Sequence, residues 1–268
     1  MTASSSNTYP DSEFTGQCVL ITGAASGIGA ELARRLLAER AQVIALDANA
    51  DGLNTLKQDF PQTPLWTQTV DVSDSAAVNA AIEAGEQQLG PIDKLACVAG
   101  ILQMGQITEL SDEQWARTFA VNTNGIFHVC RKVAQGMLAR GRGAIVNVSS
   151  NAAATPRAAM GAYAASKAAV SALSRCLGLE LAPHGIRVNI VSPGSTDTAM
   201  QQAMWQQGSS RETVITGSAA QFRLGIPLQK IATPAEIADA ILFLLSDRAS
   251  HITLHDLRVD GGATLDQG

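Results

Sequence analysis

Aromatic side chains are scarce in this sequence, 4% of 268 residues, and only two of them are tyrosines. Tyr9 lies in a polar stretch near the start, so Tyr163 is the one phenol expected inside a folded body. Cysteine is thin as well. Cys18, Cys97, Cys130 and Cys176 stand far apart, form no C-x-x-C and do not group with the four histidines. That spacing excludes a disulfide framework and a Cys/His metal site, and it fits reduced thiols in a cytoplasmic protein. Basic charge is in deficit: 19 Lys and Arg against 24 Asp and Glu leave a net charge of -5. Nucleic acid and anionic membranes are therefore not expected partners. No apolar run reaches the roughly 18 residues that a membrane span needs. Residues 1–13 have neither the basic start nor the apolar stretch of a secretory leader, and they read as a flexible tail.

What is present is enough for a core: 46% of residues are hydrophobic and 16% charged, with no repeat and no second core, so residues 14–268 read as one domain. Strand and helix signals alternate. Cys18–Thr22 is an apolar strand running into Gly23-Ala-Ala-Ser26-Gly27-Ile28-Gly29, after which Glu31–Arg40 shows helical periodicity. Glycines there let the backbone turn tightly and approach a pyrophosphate, while the helix start offers unpaired N–H groups. Gln42–Asp47 is a second strand whose terminal acid can accept hydrogen bonds from both hydroxyls of an adenosine ribose and would repel a 2′-phosphate. No Lys or Arg in the turn or at Ala48-Asn49 offsets that charge, so NAD is favoured over NADP.

Leu65–Val70 is a third strand leading to Asp71-Val72, where Asp71 is placed at the adenine edge or as a helix cap. Asp74 starts a helix to about Leu89, Lys94–Val98 is a fourth strand closing in Ala99-Gly100, and a long helix follows from about Ser111 to Ala139. Asn122 lies inside it, where Asn is ordinarily neutral or marks a bend. Ala144–Val148 delivers Ser149-Ser150 at its carboxyl end, the end where such sheets bind ligands. Arg187–Val191 ends in Ser192-Pro193-Gly194, residues 195–227 read as a mobile lid with Met200, Met204 and Trp205, Pro234–Leu245 is the last helix, and Ile252–Val259 the last strand.

Tyr163 and Lys167 are four apart on the helix Ala162–Leu181, which puts them on one face about 6 Å of rise apart. A free phenol titrates near ~10, so a neighbouring cation is what would make Tyr163 a usable general base.

Thr22-Gly-Ala-Ala-Ser-Gly-Ile-Gly29, Asn122, Ser150 and Tyr163-x-x-x-Lys167, in this order, resemble the short-chain dehydrogenase/reductase family from Phe14 onward. The resemblance implies a Rossmann-type, doubly wound, seven-stranded parallel sheet in an α/β single domain. It also implies Tyr163 as general base, Lys167 as the residue that lowers its pKa and holds the nicotinamide ribose, Ser150 on the reacting oxygen and Asn122 on a proton-relay water. Ser150 is chosen over Ser149 because it stands at the family's distance before the tyrosine. Pro193, Gly194 and either Thr196 or Thr198 would receive the nicotinamide carboxamide. One departure is visible: Cys97-Val-Ala-Gly100 replaces the family's Asn-Asn-Ala-Gly, so the hydrogen bonds of the first Asn are missing or replaced.

Stretches outside the general motifs, Ser192–Met200, Leu224–Leu228, Ala249–Leu254, Ala99–Leu102 and Thr155–Arg157, resemble the branch of the family that oxidises a cyclic diol carboxylate for catechol siderophores. Such a substrate needs a cation. Arg157, the one basic residue between Ser150 and Tyr163, is the candidate, with Arg211 or Arg223 as alternatives, and Gln103, Met104, Met200 and Trp205 as walls. Assembly as a homotetramer through the Ala/Ser-rich face at Ala164–Ala172 is expected. The rival readings are another NAD-dependent alcohol dehydrogenase or ketoacyl-type reductase, and a nucleotide-binding regulator without turnover. Asp47 disfavours an NADPH-driven reductase, and intact Ser150, Tyr163 and Lys167 disfavour a regulator.

Overall fold

The computed structural model describes residues 13–205 and 210–265; the tail expected at residues 1–13 lies outside them apart from Glu13, as do residues 206–209 of the lid. Seven parallel strands form one sheet in the order β3-β2-β1-β4-β5-β6-β7. They are β1 (Cys18–Thr22), β2 (Gln42–Asp47), β3 (Leu65–Thr69), β4 (Lys94–Cys97), β5 (Gly143–Val148), β6 (Ile186–Pro193) and β7 (Asp256–Val259). β1 is buried along its whole length, as a central strand covered on both faces must be, whereas β3 and β7 at the edges are only partly covered.

Alternation along β1 feeds two separate cores. Val19 and Ile21 pack with Leu32 and Leu36 of α1 (Gly27–Ala38) and Ile237 and Ile241 of α9 (Pro234–Leu245). Leu20 points the other way, joining Ile82 of α3 (Ser75–Leu89), Val129 and Val133 of α5 (Gly125–Arg140) and Val170 of α6 (Gly161–Leu181). Each such side chain stabilises the fold by about 1.5–3 kcal/mol.

Local signals set most helix starts. Asp74 caps α3 by accepting from the Ala76 and Ala77 N–H groups, which leaves Asp71 free of that task. Thr233 and Glu236 form a capping box on α9, with Pro234 in its first turn. Asn49 caps α2 (Ala50–Asp59), a short helix that the sequence reading passed over because only Leu53 and Leu56 are buried and Gly52 interrupts it. The long helix expected over 111–139 is in fact α4 (Asp112–Phe119), a wide π turn at Ala120–Asn124, and α5. The wide turn is closed by the Gly125 N–H on the Ala120 carbonyl, where a Cβ on Gly125 would lie 2.6 Å from Val72 Cγ2. The last strand starts at Asp256 rather than Ile252 because Leu254 sits in the left-handed region, φ 59°, which breaks extended pairing.

Beyond β6 lie two short helices, α7 (Ala199–Trp205) and α8 (Arg211–Thr216). No helix among the described residues is long and apolar enough to cross a membrane.

Candidate active site

Strand order reverses direction at β1 and β4, and the groove lies beyond their carboxyl ends. Its floor is the β1–α1 turn. Gly23 takes φ 74° and passes so close to β4 that a Cβ would lie 2.7 Å from the Ala99 nitrogen; a Cβ on Gly29 would lie 2.0 Å from the Gly23 carbonyl oxygen. At the start of α1, Ser26 makes no side-chain cap, in contrast to α2, α3, α4 and α9. The first N–H groups of α1 are thus left for an anion, with the positive end of the helix dipole behind them.

Ser26, Gly27, Ile28, Asp47, Val72, Ala99 and Gly100 all line this groove of about 270 Å³. Asp47 accepts from the Ala25 and Asn49 N–H groups at 2.9 and 2.8 Å, one on each oxygen, and each oxygen keeps a lone pair for a ribose hydroxyl. Asp71 also lines the groove, but one oxygen takes both the N–H and the hydroxyl of Ser73 and the other pairs with Arg117 at 2.9 Å. Those bonds hold its carboxyl below the usual range, with the Ser73 hydroxyl contributing most. Arg117, carried by α4, was not legible as a groove residue in the sequence because it stands far along the chain from both the turn and Asp47.

The groove continues into a cavity of about 140 Å³ lined by Ser150, Arg157, Tyr163, Lys167, Pro193, Gly194, Thr196, Thr198, Met200 and Arg223, among others. Two serines end β5 and differ in task. Ser149 is spent on the fold, donating to the Lys167 carbonyl at 3.0 Å and bonding the Ser171 hydroxyl at 2.9 Å. Ser150 is hydrogen-bonded to Tyr163 and faces the cavity. Lys167 is buried, with Nζ donating to the Val148 carbonyl at 2.9 Å and standing 5.9 Å from the Tyr163 ring centre.

Burial pulls the Lys167 ammonium down to about 8, with Cys97 opposing. Burial likewise pushes the Tyr163 phenol up, the Ser150 hydrogen bond opposing. In the protein alone burial is thus the largest influence on both groups, and the hydrogen bond from Ser150 is the one that opposes it at the phenol.

Asn122 is fully buried at the wide turn and holds the chain after β4: its Oδ1 accepts from the Ile101 N–H at 2.8 Å, and its amide donates to the Ile101 carbonyl and to Ser166, both at 3.0 Å. Where the family's first Asn is absent, Cys97 lies 3.9 Å from Cys130, whose thiol donates to Asn147, which in turn donates to Ser174 at 2.9 Å. Asn147 of β5 thus ties α5 to α6 beside Cys97.

Thr196 donates to the Gly194 carbonyl at 3.2 Å and Thr198 to the Thr196 carbonyl at 3.4 Å, so the two threonines share one turn at the cavity wall. Four expectations about substrate residues change. Gln103 turns its amide onto the Met104 carbonyl and lines neither cavity nor groove, where Leu102 stands instead. Met104 lines an outer cavity of about 400 Å³ on the far side of Arg157 and Arg223. Trp205 packs with Val214, Ile226 and Ile231 in a small core apart from the cavity. Arg211 pairs at 3.8 Å with Asp197, leaving Arg157 and Arg223 as the guanidinium groups among the described residues that line the cavity.

A doubly wound parallel sheet, a glycine turn at an uncapped helix start and a Ser-Tyr-Lys trio in one groove define an oxidoreductase of the Rossmann type. The chain belongs to the short chain dehydrogenase family, whose pattern it matches over residues 17–209, and that family works with a nicotinamide cofactor. Among its relatives, the 2,3-dihydro-2,3-dihydroxybenzoate dehydrogenase of Bacillus subtilis is 49% identical, covering 93% of this chain and 97% of the relative. The vibriobactin-specific 2,3-dihydro-2,3-dihydroxybenzoate dehydrogenase of Vibrio cholerae is 48% identical over 96% of this chain and 99% of its own. The solved structure of levodione reductase superposes with a TM-score of 0.85 at 29% identity, covering 93% of this chain and 98% of that one.

Proposed function

We propose that the protein oxidises 2,3-dihydro-2,3-dihydroxybenzoate to 2,3-dihydroxybenzoate with NAD, in the making of a catechol siderophore. The observation that carries this reading is one cavity lined both by Ser150, Tyr163 and Lys167 and by a half-buried guanidinium, Arg157. Residues of the groove fit a dinucleotide: Gly23 and Gly29 leave room that a Cβ would fill, and the start of α1 keeps its N–H groups for the pyrophosphate. NAD, when bound there, accepts hydride from the ring carbon.

Tyr163 takes the proton from the ring hydroxyl at C3 as hydride leaves the same carbon, and Ser150 donates to that oxygen. Lys167, whose ammonium is costly to bury alone, gains partners in the ribose hydroxyls and restores the phenol's acidity through its charge. Asn122, expected on a relay water, has its side chain taken by Ile101 and Ser166 and serves instead to fix the chain after β4 beside the cavity. The ketone tautomerises to the catechol, and aromatisation drives the oxidation. Pro193, Gly194, Thr196 and Thr198 receive the nicotinamide carboxamide, Val72, Ala99 and Gly100 flank the adenosine, and Met200 walls the substrate.

NAD is preferred over NADP because Asp47 meets the 2′ position and Arg117, the nearest cation of the groove, is already held by Asp71. Steady-state kinetics test both parts at once: NADH and catechol fluorescence should rise together from the dihydrodiol. Turnover of unrelated alcohols without turnover of this substrate would overturn the assignment, and equal kcat/KM with NADP would overturn the cofactor. Asp47→Ala should narrow the cofactor ratio by about tenfold or more, since a charge-assisted hydrogen bond is lost and a repulsive charge removed.

A homotetramer assembled through α6 is proposed with the same reading, supported by Ala168 and Ala172 lying exposed on that helix beside Leu179. Light scattering that gave the mass of one 27.9 kDa chain would exclude it.

A further inference from the structure

The segment that closes the cavity is inside out. Phe222 is 96% exposed at φ 53°, while the next residue, Arg223, is turned inward and desolvated enough to lower its pKa. Exposing an aromatic ring and partly desolvating a guanidinium both cost stability, so the arrangement calls for a compensating ligand. Nor is Arg223 on a loose loop. Its N–H and carbonyl are both bonded to Ser218 at 2.9 Å, and the hairpin is clamped at its base by Gly217 and Gly225, where a Cβ on Gly217 would lie 2.6 Å from the Arg223 carbonyl oxygen.

Across the cavity stands Arg157, whose guanidinium is held below its ordinary range first by burial and then by the like charge of Arg223. The acids nearby do not neutralise the pair. Asp260 acts on Arg157 from a distance, but its pull is smaller than the opposing effects of burial and of Arg223, and its nearest bonds go to the Asn151 amide at 3.1 Å and the Gly262 N–H at 3.0 Å. Glu109 lines only the outer cavity, and Asp197 is taken by Arg211. Among the described residues no ion pair joins either guanidinium to a carboxylate. Together the two side chains form the partition between the inner and outer cavities.

We propose that Arg157 and Arg223 form a two-guanidinium clamp for the carboxylate of the substrate, which makes Arg223 a specificity-determining residue. The proposal rests on the reading of the substrate as a cyclic diol acid. A carboxylate placed between the two forks satisfies both, cancels the repulsion that the pair suffers without it, and fixes the ring at a set distance from Tyr163. Binding and orientation then come from one contact, and a neutral ring lacks both.

The test compares wild type, Arg223→Met, Arg223→Lys, Arg157→Met and the double variant on the dihydrodiol acid and on its neutral carboxamide. Alongside, calorimetry measures binding of 2,3-dihydroxybenzoate at saturating NAD. Arg223→Met should raise KM for the acid on the order of ten- to a hundredfold, lower kcat for the acid by a smaller factor as the ring loses its orientation, and change kcat/KM for the carboxamide far less, with Arg223→Lys intermediate. Loss in the double variant should be less than the product of the single losses, because both forks hold one group. The thermal midpoint of Arg223→Met should hold or rise, since one of two repelling charges is gone; a purely structural arginine would lower it. Unchanged KM for the acid, or equal losses on acid and carboxamide, would overturn the clamp. If wild type oxidises neither compound, the functional reading fails, and binding of 2,3-dihydroxybenzoate that is insensitive to both arginines would overturn the clamp separately.

Discussion

The two walls of the groove are built on opposite terms. On the dinucleotide side, backbone meets backbone so closely at Gly23, Gly29 and Gly52 that one added methyl would collide. On the substrate side, short helices pack on Val214, Ile226 and Ile231, the buried Gln201 amide nitrogen has no partner among the described residues, and two arginines share one cavity. The first wall is stiff because its ligand is recognised by backbone shape, and the second carries unsatisfied groups because its ligand completes it.

Perturbations at the seam and in each wall should separate these regimes. Tyr163→Phe, at the seam, should lower kcat by about a thousandfold, while calorimetry shows NAD affinity nearly unchanged, since the ring still packs and only the base is lost. Retained turnover would mean another base. In the stiff wall, Gly29→Ala puts a Cβ 2.0 Å from the Gly23 oxygen. Its cost should be about 2–3 kcal/mol in urea unfolding, with NAD binding weakened at least as much, because the turn must shift to make room. A variant as stable as wild type would show that the wall yields.

Lys167 gives a smaller effect with a pH signature. Its folded pKa of about 8 lies below the ordinary lysine value, so the folded state holds fewer protons than the unfolded one between the two. Burying the charge costs stability below about pH 8, and that cost fades as pH rises toward ~10.4. Lys167→Met should therefore be stabilising near pH ~7, and its advantage over wild type should shrink by about 2 kcal/mol by pH ~9.5, read from thermal or urea unfolding. An advantage that does not change with pH would exclude a buried charge. The least effect belongs to the substrate wall: Gln201→Met replaces an unpartnered amide with a side chain of similar length and should change stability by between zero and about 1 kcal/mol, in the stabilising direction. A clear loss would mean that the amide is partnered in solution.

The stiff wall was the more legible in the sequence. Gly23, Gly27 and Asp47 sit at strand ends and Tyr163 and Lys167 one helical turn apart, so spacing pointed to the groove, while Ser150 and the catalytic roles came from the family resemblance. Six of the seven strands came within two residues of their bounds for the same reason, that a buried parallel strand reads as a short apolar run. What the sequence hid was set by tertiary contact. Arg117 reaches the groove from a helix 46 residues beyond Asp71, α2 has too small an apolar face to announce itself, and Gln103 and Trp205 had the right chemistry but turn elsewhere. Arg157 and Arg223 were both named as candidates; only the fold shows that they share a cavity.

Gly52 carries one more lesson. A Cβ there would lie 2.6 Å from the Ala25 carbonyl oxygen, so α2 rests directly on the glycine turn and braces it from outside. A fragment ending at Asp47 would contain the whole fingerprint without that brace. Competence to bind a dinucleotide therefore needs α2 as well as the motif, and because Val98, Ala99, Gly100 and Thr198 also line the groove, the nascent chain would carry the motif well before it carries the site.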